Sequence, residues 1–306
     1  MEVPFVDADD LASRLSMAEA IEALDRAFRS GDPSATPART VVPTPAGVLL
    51  SMPAVGEPGV GVKLVTLTET NPGRGLPLIH AIYVLFDPST QAPRLLVDGS
   101  ALTALRTAAV SGLATNLLAR PDARRLVIFG AGVQARSHLE AMAVVRPISE
   151  LVVVSRSPER AEALVRDAAE RGIGASTGDP AAVAEADLVC TCTTSDEPLF
   201  DGALLAPGAH VNAVGAFRPD AREVDTETVR RARIAVETRD AAMEEAGDLL
   251  IPIAEGAIGS DHVVADLAEL VHGTRVRTGP GDITLFESVG LAFEDLAVAA
   301  ALAGPD

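Results

Sequence analysis

The stretch LVIFGAGVQARSHLEAM, residues 126–142, restricts the fold more than any other part of the chain. An apolar run leads straight into Gly130-Ala131-Gly132, and an amphipathic segment opens at Val133-Gln134. Gly130 permits a tight turn after a strand. Gly132 lets the backbone come close to a pyrophosphate, and Ala135 is small enough for helix–strand packing. A helix starting near Val133 would aim its first amides and its dipole at the phosphates. A lone G-x-G-x-x-A is a weak signal, and its context of strand before and helix after strengthens it. Such a loop usually opens a nucleotide-binding domain, yet here it follows more than a third of the chain.

Downstream, the strand-like runs LVIFG, LVVVS, ADLVCTC, HVNAVG and RIAVET alternate with helix-like stretches at 134–146, 158–171 and 180–185. That alternation predicts an α/β fold with a doubly wound parallel sheet. Residues 283–304 read as one largely apolar helix that packs back on the first domain. Upstream, Ser16 and Glu19 form an S-x-x-E capping box for a helix over 16–29, with Ile21, Leu24 and Phe28 at helical spacing. The short runs ARTVV, GVLLSM, GVKLVTL, PLIHAIYVLF and PRLLVDG follow, separated by Pro and Gly, and predict a mixed or antiparallel sheet. Residues 100–119 read as a helix that stops before Pro121. The expected division is one α+β domain from 1–119 with 285–306, and a nucleotide-binding domain over 120–284.

The net charge is −18 and the sequence pI about 4.6. That average field repels a phosphate backbone and argues against nucleic acid as a partner. No charge-free apolar run is long enough to span a bilayer, so no membrane partner is expected. The acidic start, MEVPFVDADDLASR, lacks the basic region of a signal peptide. Cys190 and Cys192 point to one face of a strand and cannot easily pair with each other, which predicts reduced thiols, a filler role and a cytoplasmic address. The five histidines show no metal-ligand spacing, and His80 reads as a structural strand histidine.

Cofactor choice is read at the end of the next strand. An NAD enzyme usually places Asp or Glu there for the ribose hydroxyls. This chain has Ser155-Arg156-Ser157, with Arg160 one turn on. A guanidinium and two hydroxyls suit a 2′-phosphate, so NADPH is expected, with NADH possible.

The ordered stretches GVKLV, GLPLIHAIYVLFDPSTQAPRLLVDG, LTALRTAAVSGLATNLLA and GAGVQA, with HVNAVGAFRPDAREVD, AAMEEAGDLL and LFESVGLAFEDL, resemble the ornithine cyclodeaminase/mu-crystallin family, most of all its mu-crystallin-like ketimine reductases. The resemblance implies a Rossmann domain plus an N-terminal domain that binds substrate and forms a homodimer. It implies that Arg39, Lys63 and Arg106 clamp a substrate carboxylate. Two guanidiniums and a point charge suit that task. It also assigns cofactor contacts to Arg106, Thr107, Gly130–Gln134, Ser155–Ser157, Arg160, Thr193, Val214 and Val289. One departure is informative. Where cyclodeaminases and related alanine dehydrogenases carry a proton-handling aspartate, this chain has Phe217, which transfers no proton. Asp220 is three residues away, with Pro219 between them. The expectation is therefore an NADPH-dependent reductase of a small cyclic imino acid, such as Δ1-pyrroline-2-carboxylate or Δ1-piperideine-2-carboxylate, giving proline or pipecolate. Phe217 would line the substrate pocket and Lys63 would supply or relay a proton. The alternatives are amino-acid deamination, as an ornithine cyclodeaminase or alanine dehydrogenase, and a non-catalytic small-ligand binder.

Overall fold

A computed structural model describes residues 2–304. It divides into two compact units, one comprising the chain up to Arg106 with the residues from Leu291 onward, the other running from Thr107 to Gly290.

The first unit opens with β1 (Phe5–Val6), α1 (Ala8–Arg14) and α2 (Met17–Ser30). The strands β2 (Thr40–Thr44), β3 (Gly47–Gly56), β4 (Gly59–Leu67), β5 (Ile79–Phe86) and β6 (Pro93–Asp98) follow, and then the start of α3 (Gly99–Leu118). The sheet order is β1-β6-β5-β4-β3-β2, antiparallel except for the parallel β1–β6 pair. The capping box forms as read. The Glu19 amide donates to Ser16 Oγ, and the Ser16 amide donates to the Glu19 carboxylate. Ile21, Leu24 and Phe28 face inward, and the Phe28 ring meets Phe293 edge-on at 5.1 Å between centroids.

Strand β4 buries every second residue: Gly59, Gly61, Lys63 and Val65. Period-two alternation therefore places Lys63 on the covered face, where an apolar side chain is the cheap choice. Its cross-strand partners are Met52 and Tyr83. Two residues earlier, Gly61 is needed to seat Tyr83, because a Cβ there would lie 1.8 Å from the phenol oxygen.

The second unit contains β7 (Arg125–Phe129), α4 (Val133–Val145), β8 (Glu150–Val154), α5 (Pro158–Glu170), β9 (Gly174–Thr177), β10 (Leu188–Thr191) and β11 (His210–Ala213). It continues through α6 (Thr226–Arg231), β12 (Ala232–Val236), α7 (Arg239–Glu245), α8 (Gly247–Ala254), β13 (Val263–Asp266), α9 (Leu267–Val271) and β14 (Ile283–Glu287). The last helix, α10 (Ala292–Ala303), belongs to the first unit. The eight strands run in the order β13-β12-β14-β11-β10-β7-β8-β9, and every pairing is parallel. This is the doubly wound Rossmann-type sheet. Its strands read as continuous apolar runs because both faces are covered: Leu126, Val127 and Ile128 are all at 0% exposure. From β7 the chain winds to β8 and β9 on one side and to β10 on the other. The switch point, where such sheets bind ligands, therefore lies beyond the ends of β7 and β10.

Three expectations need correction. Residues 283–304 are not one helix: Ile283–Glu287 is β14, inserted between β11 and β12, and only Ala292–Ala303 is helical. A short, fully buried strand has no alternation to distinguish it from a buried helix segment. The stretch Pro180–Glu185 is a 3₁₀ segment rather than an α-helix. The boundary expected after residue 119 falls at the end of α3, whereas the compact units divide inside that helix, at Arg106 and Thr107. Among the described residues, no helix is long and apolar enough to cross a membrane.

Candidate functional site

The second unit gathers five loops along the C-terminal edge of its sheet. In the spatial order β8-β7-β10-β11-β14 they carry Ser155–Ser157, Gly130–Gln134, Thr193, Val214 and Val289. The Gly130 amide donates to the Val154 carbonyl at 2.9 Å, which ties the glycine loop to the end of β8. Gly130 has φ +102°, and a Cβ there would lie 2.4 Å from the Cys192 carbonyl oxygen. Only glycine satisfies both limits. Gly132 caps α4 without any side-chain hydrogen bond, and a Cβ there would meet nothing within 4 Å. The space and the uncapped amides that a pyrophosphate requires are therefore both present. The Gln134 side-chain oxygen is shielded from solvent with no donor among the described residues. Ser155 Oγ accepts the Ser157 amide at 3.2 Å, while Arg156 and Arg160 are exposed. These residues fit a dinucleotide.

Two buried carboxylates hold this edge in place, and neither was singled out by reading the sequence. Glu223 accepts the Thr193 amide at 2.7 Å, its hydroxyl at 2.5 Å and the Gly215 amide at 2.7 Å. Glu237 accepts Ser288 Oγ at 2.6 Å and the Val289 and Gly290 amides at 3.1 and 2.8 Å. The loops after β10, β11 and β14 are thus each fixed by a carboxylate.

The first unit carries a different cluster. Lys63, only 2% exposed, donates to Thr103 Oγ1 at 3.1 Å and to Asp295 Oδ1 at 3.0 Å, with Asp295 Oδ2 at 2.8 Å. Arg106 pairs with Glu294 at 2.8 Å and with Asp295 at 3.3 Å. Burial pushes the Lys63 ammonium down to about 8. The Asp295 charge opposes that fall, and the charges of Arg106 and Arg39 add to it. The three cations expected to act together are therefore close enough to feel one another. Tyr83 stays a phenol, its pKa raised by burial and then by Asp295. Thr107, the residue after Arg106, is buried.

Glu294 and Asp295 are the functional residues most clearly missed. Both are fully buried in an otherwise apolar helix, and two adjacent acids in AFEDLAVAAALA were the available signal. A second signal went unread: Lys63 is the only lysine in the sequence.

The remaining residues are placed as follows. Phe217 lies in the loop after β11 at 39% exposure. Asp220 is exposed and lies 3.5 Å from Arg218. His80 is an exposed residue of β5. Cys190 and Cys192 are free thiols, with Cys190 buried and pushed up to about 12 by that burial.

Known proteins resemble this chain along nearly its whole length. The family model for the ornithine cyclodeaminase/mu-crystallin family matches residues 2–303. The Delta(1)-pyrroline-2-carboxylate reductase of Paracoccus denitrificans is 37% identical over 304 residues, covering 98% of this chain and 96% of its own. The ketimine reductase mu-crystallin of Mus musculus is 39% identical over 267 residues, covering 86% and 82%. A solved structure of the Thermococcus litoralis Delta(1)-pyrroline-2-carboxylate reductase, in complex with NADH and L-proline, superposes with a TM-score of 0.92 at 37% identity, covering 98% of this chain and 96% of that one. With this match in sequence and in fold, the chain belongs to the ornithine cyclodeaminase/mu-crystallin family.

Proposed function

We propose that the protein is an NADPH-dependent reductase of cyclic ketimine carboxylates, with Δ1-pyrroline-2-carboxylate or Δ1-piperideine-2-carboxylate as substrate. The observation that carries this reading is the buried Lys63 ammonium, set among Arg39 and Arg106 and held by Asp295. A carboxylate is the anion such a group recognises, with Arg39 and Arg106 as fork-shaped donors and Lys63 as a point charge. The relatives named as reductases of such imines support the same substrate class.

When bound, the reduced dinucleotide supplies the hydride that adds to the C=N carbon. Gly130–Gln134 would hold its pyrophosphate, Ser155–Ser157 with Arg160 its ribose phosphate, and Thr193, Val214 and Val289 the remainder. Arg106 and Thr107 would add further contacts to it. Arg39 and Arg106 orient the carboxylate. Lys63 supplies the proton for the imine nitrogen, which makes the carbon electrophilic without any strong base. Phe217 forms an apolar wall, and a deaminase would need an acid in its place. The outer face of the N-terminal sheet, where register places the exposed Val42, Leu64 and Ile82 together, is proposed as a homodimer interface.

NADPH oxidation with a panel of cyclic imine acids, beside ornithine, lysine and alanine with NADP⁺ or NAD⁺, tests the reading. Turnover of the imines is expected. Turnover of the open-chain amino acids, with every imine left untouched, would overturn it.

A further inference from the structure

The chain has 25 lysines and arginines, and Lys63 is its sole lysine. At every other basic position it uses a side chain that never loses its proton. An arginine at 63 would make an equally good ion pair with Asp295, so charge pairing alone does not account for the lysine. What lysine adds is a proton that can be given away.

The hydrogen bonds around Nζ show where that proton is available. An ammonium has three N–H donors. One goes to Thr103 Oγ1, which itself donates to the Gly99 carbonyl at 2.7 Å and so is fixed as an acceptor toward Lys63. A second goes to Asp295 Oδ1. Asp295 Oδ2 lies 2.8 Å from Nζ on the same side as Oδ1, and beyond Thr103 and this carboxylate no further acceptor meets Nζ among the described residues. Asp295 reaches Lys63 from α10, while Arg106 and Thr103 reach the cluster from α3. Tyr83 stands beside Lys63 on β5 and the Arg39 charge acts on it. Glu294 is bound to Arg106. Among the described residues, Asp295 is therefore the one carboxylate in direct contact with the ammonium, set against two guanidiniums.

We propose that Asp295 is a positioning residue for Lys63: it keeps the ammonium charged beside two guanidiniums and leaves one N–H for the substrate, so that Lys63 passes this proton to the imine nitrogen. The proposal rests on the reductase reading for the step itself. One N–H bond of Lys63 breaks and one forms at the imine nitrogen. The electron pair of the broken bond stays on Nζ, and water returns a proton to the neutral amine. The two electrons of the reduction come from the reduced dinucleotide. Burial and the two guanidiniums push the Lys63 ammonium down, and Asp295 is the group that opposes this and keeps it charged at neutral pH.

A chain with one lysine gives a direct readout. Biosynthetic labelling with [¹³Cε]-lysine yields a single Lys Cε resonance, whose titration can be followed in the full-length wild type and in Asp295→Asn. The expected wild-type midpoint is about 8. In Asp295→Asn it should fall by about one to three pH units, the usual effect of removing an adjacent opposite charge. The alkaline limb of kcat/KM for Δ1-pyrroline-2-carboxylate should move down with it. An unmoved midpoint overturns the proposal. A midpoint that moves while the limb stays overturns it as well, because Lys63 is then not the proton source. A uniform loss of activity at every pH, with both unmoved, marks Asp295 as a packing residue only. If Asp295→Asn does not fold, Glu294→Gln replaces it. Glu294 makes no contact with Lys63, so the Lys63 midpoint in this variant must stay near the wild-type value if Asp295 is the group that holds the charge, and a fall as large as about one to three pH units overturns the proposal. If the wild type reduces no cyclic imine, the function fails while the resonance still reports whether Asp295 sets the charge of Lys63.

Discussion

At the scale of single residues, position 63 combines three conflicting demands. Alternation in β4 calls for an apolar side chain, burial disfavours a charge, and the chain places its only lysine there. Such a conflict marks function more often than accident. Lys63→Ala removes a charged contact and the proposed proton source. It should cost about 2–4 kcal/mol of transition-state stabilisation, a roughly thirty- to thousandfold loss in kcat/KM. A variant with full imine reductase activity would remove Lys63 from the chemistry. The wild-type profile is a related expectation. The charged form of Lys63 predominates below about 8, so kcat/KM should be level there and drop about tenfold per pH unit above it. Arg156 is the second test at this scale. It is exposed beside Ser155 and Ser157, with no carboxylate at that strand end. Arg156→Asp should weaken NADPH by about ten- to hundredfold, the value of about 1.5–3 kcal/mol for a charged hydrogen bond, and NADH much less. Fluorescence titration of both cofactors measures the ratio, and equal losses for the two would refute the phosphate assignment.

At the scale of elements, the turn from β7 into α4 separates folding from binding within three residues. Gly130 has positive φ and a backbone oxygen where a Cβ would go, so Gly130→Ala should cost at least about 1–3 kcal/mol of stability. Gly132 opens onto free space. Gly132→Ala should leave the melting temperature of the free protein almost unchanged and weaken the dinucleotide roughly tenfold or more, about 1.4 kcal/mol. Calorimetry together with cofactor titration distinguishes the two glycines, and equal thermal losses would contradict the geometry. This turn was legible in the sequence because its signals are local: an apolar strand, two glycines, then a helical period. The capping box of α2 was legible for the same reason. Strand β14 was not, since ITLFE is buried on all sides and only its pairing with β11 and β12 distinguishes it from a helix segment. The acids at 294 and 295 stand out in an apolar helix, but the pairing of Asp295 with Lys63 was out of reach, because the two lie 232 residues apart in sequence. Glu223 and Glu237 likewise acquire a role only when the loops they bind converge.

At the scale of the whole molecule, two properties follow from summed surfaces and charges. Register places the exposed Val42, Leu64 and Ile82 on one outer face of the sheet, an apolar strip that a second copy would cover. Light scattering at micromolar concentration should give twice the chain mass of 31.5 kDa, and a monomer would refute the proposed interface. The second property is the response of stability to pH. The second unit buries Glu223, Glu237, Asp248 and Glu287 at 1% exposure or less. Burial pushes Asp248 up from 3.8 to about 8, and burial together with the neighbouring acids pushes Glu287 well above its ordinary value. The folded state therefore keeps protons that the unfolded chain has already released. The stability these groups contribute is full below their unfolded values and is lost as pH rises through the folded ones. Buried histidines act in the opposite sense. His138 and His210 are pushed down to about 4 and about 3, so they add stability as pH rises to 6.5 and nothing beyond that. Between pH 6.5 and 8 the acids are left unopposed by the histidines. Each retained proton then lowers stability by up to about 1.4 kcal/mol per pH unit. Thermal unfolding should show a lower melting temperature at pH 8 than at pH 6.5. Asp248→Asn, which keeps the amide-accepting oxygen and removes the ionisation, should flatten that slope. A melting temperature that is constant or rises over this window would show that the buried acids are already ionised in the folded protein.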